Sequence, residues 1–458
     1  MAAPQKAVAG ATRPPGPSPS PGRSRARFMI VALLFVLSTL NNADRAILSI
    51  TGTEIQDQIG VSDITLGYLF SAFSWAYMLA QLPGGWIVDR WGARKVYAGS
   101  VLAWSVATLL QGFVPVFGIA SAMIALFILR IAVGLAEGPA YPTNGRVVAT
   151  WFPSAERGTA SAIFNSSQYA APVVFTPFMA WLTHGWGWPS AYFVMGGLGV
   201  VLSVWWWVAY RQPRAHPRVN QAELDHLIEG GALVDIEEAA AVGTRDGIDT
   251  WSVVRQLLSS RMMIGLYMGQ FFITTIVYFF LTWFPIYLIK ELGMPLLEAG
   301  FTASIPALFG FVGGILGGLL SDALLRRGMS VTAARKIPIV AGLSLSTCII
   351  ACAWTSTQTV VIVLMAVAFF GKGLGSLGWT VVSDTSPKEA AGLSGGLFNT
   401  FANLAGITTP IVIGYVVDIT GSFDGALIFV GASGLAAVLS FVLVVGRIER
   451  VHLKEVTP

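Results

Sequence analysis

Apolar residues along this chain come in blocks of roughly 20, and about 20 residues of helix cross the hydrocarbon of a bilayer. Twelve blocks can be drawn, at 28–50, 64–88, 96–116, 119–143, 158–182, 190–210, 262–288, 298–320, 337–354, 358–383, 392–417 and 424–446. A membrane β-barrel would show short alternating segments instead. The pattern therefore predicts an all-α polytopic membrane protein. One polar connector is long, and it divides six spans from six. The predicted organisation is a disordered tail rich in Pro, Ser and Gly over 1–24, a six-helix half over 25–210, a central loop over 211–261, a second six-helix half over 262–446 and a tail over 447–458. Within the central loop "NQAELDHLIEGGALVDIEEAAA" is acidic and partly helical in pattern. "WSVVRQLLSSR" reads as an amphipathic helix at the membrane surface. The basic run Arg23, Arg25, Arg27 leads into a full-length span without a cleavage site at its end, so the first span is not a removable signal.

Composition agrees. The chain is 54% hydrophobic and 11% charged, against about 25% charged in soluble domains, too little to coat a soluble core. Of the 28 Lys and Arg, three fall inside spans (Arg45, Arg130 and Lys372) and Lys290 falls in the connector after the seventh span; all the others lie in the two tails and in alternate connectors. That bias places both termini in the cytoplasm. The pI of about 9.1 then reflects cytoplasmic loops and not nucleic-acid binding. Cys348 and Cys352 lie one helical turn apart in a span with no His or carboxylate near them in sequence, and read as small core residues. The four His are scattered. There is no nucleophile motif, no metal set and no phosphate loop; "GKGLG" lacks the required spacing. No enzymatic activity and no cofactor are expected.

The halves resemble each other. "GGWIVDR" follows the second span and "GGLLSDALLRR" the eighth, both with G-x-x-x-D. The fifth span opens "GTASAIFN" and the eleventh "GLSGGLFN", and both later carry Thr-Pro. An offset of six spans means a duplicated six-helix unit. Two such halves with a site between them near midplane is a transporter architecture.

"GGWIVDRWGARK" resembles the signature loop of the major facilitator superfamily, with Ala93 departing from the usual basic residue, and the resemblance extends over residues 28–450. "DRAILSI", "LGYLFSAFSWAYMLAQLPGGW", "RIAVGLAEGPAYPTNGR", "WFPSAERGTASAIFNSSQ" and "SDTSPKEAAGLSGGLFNTFANLAGITTPIVIGY" are similar to its anion:cation symporter family, in the bacterial sugar-acid branch. "FFGKGLGSLGW" resembles the glucarate/galactarate permeases of that branch. The resemblance implies the twelve-helix fold in two six-helix halves and proton-coupled import of a sugar diacid across the bacterial inner membrane, with protons as the coupling ion. A monoacid sugar of the galactonate type or another organic anion is the alternative substrate. A membrane sensor that binds without transporting is the alternative of another class. The partners expected are a small anionic sugar acid and membrane lipid, with no nucleic acid, and a monomer.

Ionisable residues inside spans are functional candidates, because each costs about 2.5–3.5 kcal/mol or more at a helix centre. Asp44 and Arg45 are adjacent, so they point about 100° apart and do not face each other. Arg45 offers a fixed fork for a carboxylate; Asp44 and Glu137 can exchange protons. The resemblance implies the same assignment, proton coupling at Asp44 and Glu137 and substrate binding at Arg45. Arg130, two turns before Glu137, is expected to hold one of the two carboxylates in one state of a cycle. A structural ion-pair knot is the competing reading. Lys372 in the tenth span could take the second carboxylate of a diacid, linking the halves, or could be a packing or gating residue. The resemblance brings Tyr77, Gln168, Gln270, Trp379 and Asn399 to the cavity as readers of hydroxyls. It leads one to expect Tyr at position 42, where Asn42 stands. Asp89, Arg90, Arg94, Lys95 and Asp322 are gating candidates, with Asp89 pairing with a base or capping a helix across the interface between halves.

Overall fold

The computed structural model describes residues 23–236, 250–387 and 390–453. Among them every regular element is helical. Twelve helices follow the twelve blocks: α1 (Ala26–Ile59), α2 (Asp63–Trp91), α3 (Ala93–Gln111), α4 (Ile119–Glu137, continued by Ala140–Trp151), α5 (Arg157–Asn165 and Ser167–Trp186), α6 (Trp188–Ala209), α7 (Arg261–Tyr278, a π turn at Phe279–Trp283, and Phe284–Lys290), α8 (Leu296–Arg326), α9 (Val331–Ser346 and a 3-10 stretch Thr347–Trp354), α10 (Gln358–Leu374 and Gly378–Thr385), α11 (Ala391–Thr420) and α12 (Asp424–Leu439, ending in a π turn at Ser440–Val444). Ten are long and apolar enough to cross a membrane by length and composition. The other two, α2 and α5, do not meet that measure. α2 packs along α4 and α11, and α5 along α1 and α8, so their faces carry Ser, Gln, Gly and Pro in place of hydrocarbon.

Those packings make two seams between the halves, α2 on α11 and α5 on α8. They are copies of one another. Gly67 of α2 and Gly300 of α8 stand at the same distance before the duplicated Asp89 and Asp322. Each meets the Thr-Pro stretch of the other half. A Cβ on Gly67 would lie 2.5 Å from the Pro410 carbonyl oxygen; one on Gly300 would collide with Ala180 Cβ and lie 3.4 Å from the Thr176 carbonyl oxygen. A Cβ on Gly414 would lie 2.6 Å from the Asp63 carbonyl oxygen, so backbone rests on backbone. All this lies at the end of the bundle opposite the basic connectors. Toward the basic end of α2 and α11, Gly85, Gly392 and Gly396 have no neighbour within 4 Å on their Cβ side. The backbone-to-backbone contacts of the seam are thus at the end opposite the basic connectors.

Four spans are interrupted near midplane. α4 breaks at Gly138–Pro139, α5 at Ser166, α7 at its π turn and α10 at Gly375–Leu377. Pro139 supplies no N–H to continue the ladder. Broken helices inside a membrane protein leave backbone groups facing a cavity.

Most of the tail expected to be disordered lies outside the described residues, but its last part is fastened. Ser24 donates to the Glu223 carboxylate, and its backbone N–H donates to Asn220 Oδ1 at 3.1 Å. Arg27 binds Glu223 at 3.0 Å and Glu156 at 3.1 Å. Glu223, fully buried, sits in the first turn of a short loop helix, Gln221–Glu229, capped by Asn220. Burial pushes the Glu156 carboxyl up, but the His226 hydrogen bond and the Arg27 charge hold it below the usual carboxylate range. The predicted amphipathic segment forms Thr250–Ser259, with Val253 and Leu257 buried and Trp251 exposed; residues 237–249 lie outside the described residues.

Candidate functional site

Four intramembrane charges converge in the first half, two of them over one aromatic ring. Arg45 Nε donates to Glu137 Oε2 at 3.0 Å, and its Nη2 donates to Asn41 Oδ1 at 3.1 Å. The Arg45 guanidinium lies 4.4 Å from the Tyr77 ring centroid and 5.1 Å from that of Phe73. Arg130 approaches the same Phe73 ring at 5.4 Å. Glu137 is fully buried, whereas the Arg45 side chain is 13% exposed. Asp44 points away from Arg45, as neighbours on a helix must. It is buried, and neither of its oxygens accepts a hydrogen bond. An ionised carboxylate there would lack the hydrogen bonds that offset burial. Its charged neighbours are Glu137 and Arg130. Among the described residues Arg130 forms no ion pair; the carboxylate expected for it is not held in this conformation, and Glu137 is held by Arg45 instead. The break at Gly138–Pro139 follows Glu137 directly.

The second half contributes one buried cation. Lys372 Nζ lies 5.4 Å from the ring centroids of Tyr169 and Phe369. No carboxylate or hydrogen-bond partner reaches it among the described residues. Cation–π contact partly replaces water but leaves all three N–H donors available. Tyr169 belongs to α5 of the other half, so Lys372 touches both halves.

The neutral candidates divide. Tyr77 is buried under Arg45. Trp379 is 58% exposed, edge-on to Phe398. Gln168 is exposed just past the break in α5. Gln270 donates to Thr274 Oγ1 at 3.1 Å. Asn399 donates to Gln81 Oε1 at 2.6 Å, across the α2–α11 seam. Gln81 was not anticipated, because its partner lies 318 residues away in sequence. Asn42 donates to the Ser38 carbonyl and, at 3.2 Å, to Ser167 Oγ, so it ties α1 to the break in α5.

Of the gating candidates, Asp89 pairs with Arg146 of its own half at 2.6 Å. Asp322 stands 3.6 Å from Arg335, which also binds Asp384 at 2.9 Å, again within one half. These networks fasten neighbouring helix ends inside each half. Arg146 and Arg335 escaped notice because in sequence they are merely two of many loop bases. Arg94 donates to the Trp207 carbonyl at 2.8 Å and stacks on its ring; Arg90 lies over Trp86; Lys95 is exposed. Among the described residues no cluster of three His, Cys, Asp or Glu is arranged for a metal.

A buried acid–base pair in one half and a lone base in the other can bind an anion and take up a proton. Comparison with known proteins bears on which anion. The family described as Major Facilitator Superfamily matches residues 34–410. Among similar proteins, a "Probable galactarate/D-glucarate transporter" of Bacillus subtilis (strain 168) is 55% identical over 429 residues, covering 94% of each chain. A protein of the same description from Escherichia coli (strain K12) is 52% identical, covering 94% of this chain and 96% of that one. Among solved structures, a D-xylose-proton symporter superposes with a TM-score of 0.69 at 15% identity, covering 91% of this chain and 98% of that one; that likeness concerns the fold alone.

Proposed function

The chain belongs to the major facilitator superfamily and is a transporter, and from that premise we propose that it imports a sugar diacid of the galactarate/D-glucarate type together with protons across a bacterial inner membrane. The observation that carries the proposal is the Arg45–Glu137 pair at 3.0 Å, together with a Lys372 that has no anionic partner among the described residues. A substrate carboxylate and Glu137 compete for one guanidinium. Protonating Glu137 releases Arg45 to the substrate. A six-carbon diacid has a second carboxylate for Lys372, and ligation by both cations draws the halves together. Tyr77, Gln168, Gln270, Trp379 and Asn399 offer donors and acceptors to the hydroxyls between the two ends. Asp44 carries a second proton.

Charge supports two protons. Moving a dianion inward against an interior-negative potential costs about 2.3 kcal/mol per charge per 100 mV, and two protons cancel it. The basic connectors favour both termini in the cytoplasm, so the glycine-packed end of the seam faces outward. Reconstituted into proteoliposomes, the protein should accumulate D-glucarate when an inward proton gradient is imposed. Uptake indifferent to that gradient would refute the coupling; no D-glucarate uptake under any gradient would refute the substrate.

A further inference from the structure

Lys290 stands apart from every other Lys and Arg of the chain, in the connector on the outward face of the α7 end. It is also the base that bridges the halves there. Its Nζ lies 2.7 Å from Asp63 Oδ1, joining the last residue of α7 to the first residue of α2. Gln56 of α1 donates to the same oxygen at 2.9 Å and holds it in place. Below the pair the seam is continued by the Tyr68 and Tyr415 hydroxyls at 3.2 Å and by the Gly67–Pro410 contact. We propose that Lys290 and Asp63 form the outer latch of the transport cycle, made when the binding site faces the cytoplasm and broken each time it opens outward.

The local physics suits a bond that must break repeatedly. Asp63 sits at a helix N-terminus and Lys290 at a helix C-terminus, so each charge is stabilised by its own helix when the pair parts. Their side chains are 17% and 33% exposed, so water screens the attraction. The pair lines a cleft of about 460 Å³ with Asp57 of one half and Asp418 of the other. Three carboxylates thus share one cleft with a single ammonium, and beyond its bond to Asp63, Lys290 offsets their like charge across the seam. The duplicated seam lacks the device, because the offset that superposes Asp89 on Asp322 sets Leu296 opposite Asp63.

The latch rests on the transport reading only for which face is outside. The test uses full-length protein in cells, with Cys348→Ser and Cys352→Ser and a reporter Ser74→Cys. Ser74 is fully buried, its hydroxyl 3.5 Å from Tyr278 of the other half. Labelling by a membrane-impermeant maleimide reads outward opening. Asp63→Asn should speed labelling roughly two- to fivefold, as expected for a partly exposed ion pair. Lys290→Gln should speed it more, since it leaves the carboxylates uncompensated. The exchange Asp63→Lys with Lys290→Asp should return the rate toward the starting value. Unchanged rates in both single variants, or an exchange as fast as the singles, would overturn the latch. Uptake of D-glucarate by the same cells separates the two readings, because labelling can follow the latch pattern where proton-driven uptake is absent.

Discussion

Glu137→Gln keeps the shape of the side chain and removes its charge. In the structure Arg45 Nε is held by Glu137 Oε2 at 3.0 Å, so at high pH an incoming carboxylate must displace another carboxylate. A hydrogen bond between charged groups contributes about 1.5–3 kcal/mol and a neutral one about 0.5–1.5 kcal/mol. Replacing the competitor by an amide therefore lowers the cost of displacement by about 1–1.5 kcal/mol, or roughly five- to twelvefold in affinity. Calorimetric titration of purified protein with D-glucarate at pH 5.5 and pH 8 reads this directly. Wild-type affinity should fall at pH 8, and the fall should shrink in the variant. Proton-driven accumulation should be lost, while exchange of labelled for unlabelled substrate across the membrane persists. If the variant loses affinity at pH 8 as steeply as the wild type, competition for Arg45 is not how protons and substrate are linked.

Lys372→Ala should impair uptake of a sugar diacid at least tenfold while changing uptake of the matching monoacid much less, because only a diacid has a second carboxylate to lose; equal losses in a side-by-side uptake assay would refute the two-cation clamp. Glu223→Gln removes one of the two carboxylates that hold Arg27, leaving Glu156, and should cost about 1.5–3 kcal/mol. It should lower the melting temperature in detergent and expose the chain after Arg25 and Arg27 to trypsin, and unchanged digestion would show that the anchor is not needed to order this segment.

The fold was legible because one physical requirement, about 20 apolar residues per crossing, repeats twelve times. The duplicated G-x-x-x-D and Thr-Pro stretches also carried more than a family likeness. They mark which helices meet, since Gly67 rests on Pro410 and Gly300 on the Thr176 turn. The adjacent Asp44 and Arg45 could be sent in different directions by helix geometry alone. What stayed hidden were partnerships set by tertiary approach. Nothing in sequence says that Asp89 is served by Arg146 of its own half, that Gln81 reaches Asn399, or that Glu137 and not Asp44 holds Arg45. The helix breaks beside Glu137, Gln168 and Trp379 were hidden too, because the hydrophobic blocks run through them without interruption and only the local "EGPAYP" and "GLGSLG" hint at them.

The glycine-lined outer seam limits how such a protein can diversify. Where backbone meets backbone there is no side chain to exchange for a slightly different one. Any larger residue at Gly67 or Gly414 props the seam open, and no compensating change nearby can make room, because the obstacle is a carbonyl. New substrates must therefore be acquired by changing the side chains of the broken helices, α5 and α10 above all, while the outer seam stays as it is.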